Sequence, residues 1–554
     1  MKKFFLIATS FLICLGAGAA TKKAQKLDEQ VLKTMKTATE YMLNTVSYNG
    51  GFVWTYLPDF SREWGEMEAK RTMAWVQSGT PQVGQLLLDA YHATGDEYYY
   101  QAAEKVANAL IWGQQDCGGW NYCFDFAGEG SLKDWYNTVG KNGWRLEEFQ
   151  HYYGNATFDD SSTTDAAKFI LRMYAEKFDP KFRPSLDKVI NFVLESQYPI
   201  GGWPQRYPLM YDHPFRGQKD YSSYITLNDD VIPQCIDFLV QCYQVLGTQN
   251  IKDAVMRAMY CVILLQQGEP YAGWSDQYTV QDLKPGNGRS YEPRGISNNT
   301  TQSMCRQLMH FYTLTGDSRF LAGIPAALKY LETQKLPKSE YEKLGRQWTD
   351  SMDSFMAPRF INPETGIPQY IHRVGSNVQN GHYYVDQNIT NTIAHYSSLS
   401  NVNIKAIRDQ YEQIKKVPVE ELTKDSPLFS TGEHRLNEYY TVRMGGQQGG
   451  GRAPAGFGGF GGFQPMSLED QVQQVISALT PEGCWLSPLR STSNPYKPYE
   501  DTTPSNETKY QSSNVGDEFD TSPHSNTDPS IMCISTSDYI NKMGTLIRYH
   551  LSVK

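Results

Sequence analysis

The chain has 554 residues and a formal net charge of −9, enough for one large domain or two ordinary ones with a sizeable core, and a charge that argues against generic nucleic-acid binding. Aromatic residues make up 13% of it, and 37 residues are tyrosine. Such flat, amphipathic rings suit a carbohydrate-facing cleft as readily as tyrosine-rich cores and interfaces.

The first predicted element is a leader. "MKKFFLIATSFLICLGAGAA" has two lysines, an apolar run from Phe4 to Leu15 and small residues from Gly16 to Ala20. That is the pattern of a secretory signal over residues 1–20, too short to span a bilayer, with cleavage expected near Ala19 or Ala20. Bulky Ile13 precedes Cys14 where a lipid-attachment site needs a small residue, so a soluble exported protein, periplasmic or extracellular, is expected. No other run could cross a membrane. Without Lys2 and Lys3 the net charge becomes −11. Among the remaining cysteines, Cys117 and Cys123 lack histidine partners for zinc. Cys235 and Cys242 fall seven apart, about 10 Å along a helix axis, too far for a bridge.

Helices follow in a repeating pattern. Leu86–Gln115, Phe169–Gln197, Cys235–Gln267 and Gln307–Gln334 each read as an apolar-periodic helix, a short turn and a second helix. In the Phe169 copy, Leu186, Val189, Ile190, Val193 and Leu194 form one buried stripe at helical spacing. Repeated hairpins bury their faces against one another, and long unequal loops between them favour a ring with irregular loops at one mouth. The expected fold is therefore all-α, an α/α toroid over residues 21–415, with residues 416–554 as a C-terminal extension packed on it. Gly118-Gly119-Trp120, Gly201-Gly202-Trp203 and Ala272-Gly273-Trp274 all follow second helices, so they mark one rim. The glycines cap the helix and the tryptophan packs over it, or the tryptophan offers a sugar platform; the two are compatible. The pattern fades after Lys335. Residues 444–465, "MGGQQGGGRAPAGFGGFGGFQP", read as a low-complexity loop, and residues 491–530 as irregular.

Two acidic clusters precede hairpins on that rim: Asp159 and Asp160 in "ATFDDSSTTD", and Asp229 and Asp230, after Asn228, in "YITLNDD". One helix cap needs one such residue; adjacent acids repel unless a cation or base sits between them, and loop-held carboxylates suit Ca²⁺ rather than zinc. In "GRSYEPR", Arg289 and Arg294 flank Tyr291 and Glu292, where an ordinary solvated ion pair is the plainer reading. "PRFINPETGIPQYIHRVG" places Arg359 and Arg373 in a loop-rich stretch. Arginine forks match carboxylates, so clustered arginines in an exported, sugar-suited protein point to acidic sugars.

"ATFDD…TTD", "GGWPQRYP", "YITLNDD", "LKP…GRSYEP" and "PRF…P…R", in this order over about residues 153–375, resemble the calcium-dependent pectate lyases of polysaccharide lyase family ten. The resemblance implies a monomeric α/α-toroid enzyme that cleaves polygalacturonate by Ca²⁺-assisted β-elimination, with neither nucleic acid nor membrane as partner. It implies Arg289 as the base, and Asp159, Asp160, Asp229 and Asp230 as the set from which Ca²⁺ is held. Arg359, Arg373, Trp203 and Glu292 fall to the substrate. Free arginine is neutral in about one molecule in 10⁴ or fewer at pH 8, so nearby cations are expected to lower its pKa and activity to rise into the alkaline range. Two departures stand out. Gln277-Tyr278-Thr279 replaces a His-Asp pair, and Gly286-Asn287-Gly288 replaces bulkier residues before Arg289, so that arginine is expected to be held less rigidly. Two other readings compete: a glycoside hydrolase using Glu292 as acid with Asp229, and a non-catalytic acidic-glycan binder.

Overall fold

The computed structural model describes residues 5–140, 146–149, 151–210, 212–215, 217–374, 382–393, 397–429, 436–442, 466–489, 491–492, 524–525 and 530–554. The glycine-rich stretch and most of residues 491–530 lie outside the described residues; within the latter, Ser491–Thr492 pairs with His524–Ser525.

The periodic segments fold as expected. After α1 (Phe5–Tyr41), helix α2 (Thr80–Thr94) pairs with α3 (Glu97–Gly113). Two short helices, α4 (Glu129–Thr138) and α5 (Leu146–Phe149), lie in the following connection. Then α6 (Ser162–Lys177) pairs with α7 (Arg183–Ser196), α8 (Val231–Leu246) with α9 (Gln249–Leu264), and α10 (Asn298–Thr315) with α11 (Arg319–Ala322) and α12 (Ile324–Glu332). Helix α2 touches α6 and α6 touches α8, so the first helix of each hairpin forms the inner wall of an α/α toroid. The C-terminal helix Thr536–Val553 packs on both α1 and α2: the two ends of the chain meet in the same wall.

The wall is polar inside. Gln82 of α2 donates to Asp165 of α6 (2.6 Å), and Lys168 pairs with Asp237 of α8 (2.5 Å). At the end of the toroid away from the inner helices' N-termini, buried Arg172 and Asp89 pair at 2.8 Å. Asp89 also accepts the backbone N–H groups of Tyr440, Thr441 and Val442, so a C-terminal segment closes this end. Each charge there has several partners, which is what lets a buried ion pair persist.

The repeated turns have one construction. Gln114, Gln197 and Gln266 end the outer helices, and each amide spans its own turn and the next outer helix: to Gly118 O and Ser185 O, Gly201 O and Ala254 O, Ala272 O and Gly323 O, at 2.7–3.0 Å. The indoles of Trp120, Trp203 and Trp274 donate back to the carbonyls of Leu110, Val193 and Val262 at 2.7–2.8 Å; Trp485 repeats this with Val475. Gly201 has φ +111° and a Cβ there would lie 2.2 Å from Arg257 O, so only glycine lets the turn reach the neighbouring outer helix. The repeated motif is thus a staple between hairpins. Trp203 is fully buried in it, which corrects its expected place against substrate: a ring with no exposed face cannot stack on a sugar.

Short strands stitch the rim loops together. Ala156–Thr157 pairs with Arg206–Tyr207, and Ile225–Thr226 with Gln277–Tyr278. Beyond Lys335, where helical periodicity fades, Pro368–Val374 and His382–Asp386 form a hairpin on a sheet that continues through Phe360–Ile361 and Ile296–Ser297 to Trp274–Ser275. Cys117, Cys123, Cys235, Cys242, Cys261, Cys305, Cys484 and Cys533 are all free.

Near the chain termini, the strand Glu63–Trp64 buries the Glu63 carboxylate with neither oxygen hydrogen-bonded; the nearest cation is Arg71 at 3.9 Å. Burial pushes this carboxyl up to about 8. Because the folded pKa lies above the unfolded one, the unfolded chain releases the proton first, and stability falls as pH rises from about 4.5 to about 8. Glu63→Gln is expected to remove this penalty, roughly 3 kcal/mol at pH 7. The expected outcome is a higher Tm at pH 8 and little change at pH 4, measured by calorimetry across pH.

Candidate active site

The N-termini of the inner helices share one rim. Before α6, Asp159–Ser161 form a single 3-10 turn; before α8, Asn228–Asp230 do the same, and the two turns touch. They are structural copies: Asp160 and Ser161 have φ of 49° and 63°, Asp229 and Asp230 of 51° and 58°. Two successive non-glycine residues in the left-handed region cost on the order of 1–3 kcal/mol each and cluster at functional sites. Neither Ser161 nor Asp230, at the cap positions of α6 and α8, makes a side-chain cap hydrogen bond, so simple capping does not account for the acids.

Asp159 is buried and accepts a short hydrogen bond from Tyr122 Oη. Asn228 Nδ2 donates to Asp229 Oδ2 at 2.7 Å. Burial, then the charges of Asp159 and Asp160, push the Asp229 carboxyl well above the usual range. Carboxylates crowded this way repel one another in a low-dielectric site and are relieved by a cation. Among the described residues no three acidic, histidine or cysteine side chains already converge at ligand distance. The donor set nevertheless fits a hard, oxygen-loving ion: four aspartates on two touching turns, without sulfur or imidazole.

Arg289 meets this cluster. Its Nη2 lies 3.5 Å from Asp229 Oδ2. Glu292 folds back beneath it, accepting from the Arg289 backbone N–H (2.9 Å), Nε (2.8 Å) and Nη2 (2.6 Å), and Glu148 of α5 accepts from Nη1 (2.7 Å). Beside it, Glu147 accepts the N–H and hydroxyl of Ser290. Burial alone would lower the Arg289 pKa, but the charges of Glu292 and Glu148 outweigh it and hold the guanidinium well above its ordinary value. The protein groups beside it are anionic and by themselves raise its pKa; the lowering expected from Ca²⁺ concerns the ion-loaded site. One expectation is corrected here, because Gly288 does not loosen the arginine: a Cβ there would sit 2.4 Å from Glu292 Oε2, so the glycine makes room for the clasp. Glu292, expected on substrate, is buried and spends its oxygens on Arg289.

Arg359 reaches the same region through Asp276. Its Nη2 lies 3.9 Å from Asp276 Oδ2, and the Asp276 carbonyl accepts from the N–H groups of Leu227 and Asn228. Burial, more than Arg359 offsets, raises the Asp276 carboxyl. Arg373 is buried on the strand Pro368–Val374 opposite Tyr383, whose ring meets Tyr291 at 5.5 Å. Thr279, which stands where an acid was expected, is half-buried and donates to Asp282 Oδ1 at 2.5 Å, so a neighbouring loop residue brings a carboxylate there. Sequence reasoning missed Glu147, Glu148 and Asp276. Asp276, one residue before the altered triplet, was within reach of inspection; the glutamates carried no local signal.

Residues 132–386, a little under half of the chain, match the family model described as pectic acid lyase. No curated protein matches the chain. Solved structures similar to it include a family 10 polysaccharide lyase from Cellvibrio cellulosa, 16% identical over 62% of this chain and 91% of that one, with a TM-score of 0.36. A mutant of that enzyme in complex with trigalacturonic acid is 17% identical over 61% of this chain and 98% of that one, TM-score 0.39. The cellobiose 2-epimerase of Spirochaeta thermophila is 9% identical over 71% of this chain and 98% of that one, TM-score 0.33. The matched stretch, residues 132–386, contains both aspartate turns and the clasped Arg289, and the chain resembles the pectate lyases of polysaccharide lyase family ten.

Proposed function

We propose that this chain is an exported pectate lyase that cleaves polygalacturonate by β-elimination at the rim where the two aspartate turns meet Arg289. The observation that carries the reading is the 3.5 Å approach of Arg289 Nη2 to Asp229, itself crowded by Asp159 and Asp160. In the reaction the proton α to a uronate carboxylate leaves, its electron pair forms a carbon–carbon double bond, and the bond to the 4-linked oxygen breaks, that oxygen taking up a proton. Arg289 is the group assigned to the proton. Asp159, Asp160, Asp229 and Asp230 would hold Ca²⁺, which when bound supplies charge stabilisation for the enediolate-like transition state. Arg359 and Arg373 are assigned to uronate carboxylates. Glu292 and Glu148 orient the guanidinium without touching substrate. Among the described residues no helix is long and apolar enough to cross a membrane, and the leader over residues 1–20 supports export.

The hydrolase pairing of Glu292 as acid with Asp229 is disfavoured, because the Glu292 carboxylate is tied to Arg289. Incubation with polygalacturonate and Ca²⁺ separates the readings. Ultraviolet absorbance from an unsaturated product, abolished by a chelator, is the expected result. New reducing ends without absorbance would mean hydrolysis, and neither signal would leave a binder.

A further inference from the structure

Away from the aspartate turns, one aromatic surface has no part in the reaction. Trp112, in the last turn of α3, is 52% exposed, and among the described residues no other tryptophan is exposed. Its ring meets Phe126 at 4.7 Å with 33° between the planes, and Phe126 meets Tyr48 at 5.7 Å. The central carbon of the Arg71 guanidinium lies 5.9 Å from the Tyr48 ring and 4.9 Å from that of Phe60. Trp112, Phe126, Tyr48 and Arg71 thus form a strip of rings, each at least partly exposed, with a cation at one end. Clustered exposed apolar groups of this kind mark interaction surfaces, and tryptophan, tyrosine and arginine carry most of the energy at them.

The strip lies close to the proposed reacting centre without belonging to it. The strand Cys123–Asp125 is flanked by Tyr122, which donates to Asp159, and by Phe126. Four residues of extended chain span at most about 14 Å, so the strip begins within that reach of the first aspartate turn. Tyr48, Arg71, Trp112 and Phe126 all precede residue 132, where the match to the pectic acid lyase model starts.

Its chemistry selects the partner. A pyranose lays its C–H face on an aromatic ring while its hydroxyls stay in water. Arg71 gives Nη2 to Thr45 O at 3.0 Å, while Nη1 stands 3.9 Å from Glu63, beyond hydrogen-bond distance. Burial keeps Glu63 mostly protonated at pH 7, so Arg71 retains charge to offer a carboxylate. Exposed Asn44, Thr45 and Asn49 adjoin Tyr48 in the chain, and exposed Asn108 precedes Trp112 by one helical turn. Such polar surroundings suit sugar hydroxyls; a stable protein interface would cover about 800 Å² on each partner around an apolar centre.

We propose that Trp112, Phe126, Tyr48 and Arg71 form a docking strip for a length of polygalacturonate remote from the bond being cleaved. The proposal rests on the pectate lyase reading and adds how a long substrate is retained. A chain held at two places binds more tightly than either contact alone allows, a gain closed to an oligomer too short to span both.

Retention of the full chain on immobilised polygalacturonate at pH 7, in chelator so that no cleavage intervenes, tests this apart from activity. Trp112→Ala is expected to weaken retention about tenfold and Arg71→Gln several-fold. With Ca²⁺ restored, KM for the polymer should rise in both variants, while kcat and KM for trigalacturonate stay as in wild type. Trp112 is exposed, so its variant carries the test should Arg71→Gln lower Tm. Unchanged retention of Trp112→Ala overturns the strip. Equal retention on an uncharged galactan, indifferent to Arg71→Gln, would overturn the acidic-chain assignment. A concentration-dependent dimer in sedimentation that Trp112→Ala abolishes, with polymer retention intact, would make the strip a protein interface and overturn the proposal. A chain retained through Trp112 that yields no unsaturated product sinks the lyase reading alone; product with unaltered retention sinks only the strip.

Discussion

Arg289→Lys is expected to lower the elimination rate by about a thousandfold or more, the scale on which removing one group aimed at the reacting atoms acts. Lysine keeps the charge but not the fork. Arg289 uses Nε and Nη2 for Glu292 and Nη1 for Glu148; a single ammonium cannot span both, and one buried carboxylate is left unpaired at a cost of about 3 kcal/mol. The variant's Tm must therefore be measured beside its rate, so that lost chemistry is separated from lost fold. The pH profile tests the role itself. A base acts in its neutral form, and Glu292 and Glu148 hold Arg289 cationic. If it takes the proton, the rate rises with pH through the alkaline range as the neutral fraction grows. A flat alkaline limb would instead make Arg289 a donor to the developing anion and move proton abstraction elsewhere.

Asp229→Asn is expected to act with opposite signs on metal binding and on metal-free stability. Removing one carboxylate from the two turns should weaken Ca²⁺ binding by about tenfold or more, roughly 1.4 kcal/mol. Calorimetry and the Ca²⁺-induced rise in Tm both read this without reference to activity. In the absence of the ion the same substitution should raise Tm near pH 7. The Asp229 carboxyl is raised by burial and by Asp159 and Asp160, so at pH values above the ordinary aspartate range the unfolded state gains by ionising it, and stability falls as pH rises. An amide has no such loss. A variant that binds Ca²⁺ as tightly as wild type would remove Asp229 from the ion's ligands. A metal-free Tm that falls would mean the carboxylate serves the clasp on Arg289 instead.

The repeat and the acids are legible because both are written in contiguous residues. Leu186, Val189, Ile190 and Val193 share a buried face through helical spacing alone. The turn glycines announce themselves because Gly118 and Gly201 adopt φ near +100°, which few other residues tolerate. Less legible was which way a side chain faces. Trp203 has the composition of a sugar platform, but its indole N–H finds Val193 O, and a buried tryptophan with its donor satisfied belongs to the core. The left-handed pairs Asp160–Ser161 and Asp229–Asp230 also escaped notice, since neither backbone is declared by its residue types.

By itself the sequence determined the helical hairpins, the shared rim and the placing of adjacent carboxylates at two inner-helix N-termini, because each follows from periodicity or backbone preference within a few residues. Only the tertiary structure decided the company those groups keep. Glu148 meets Arg289 across 141 positions of chain, and the C-terminal helix enters the wall beside α2. Coulombic interaction acts through space and depends on distance and burial, so the sign of the Arg289 pKa shift was set by how hairpins pack, which no local pattern encodes.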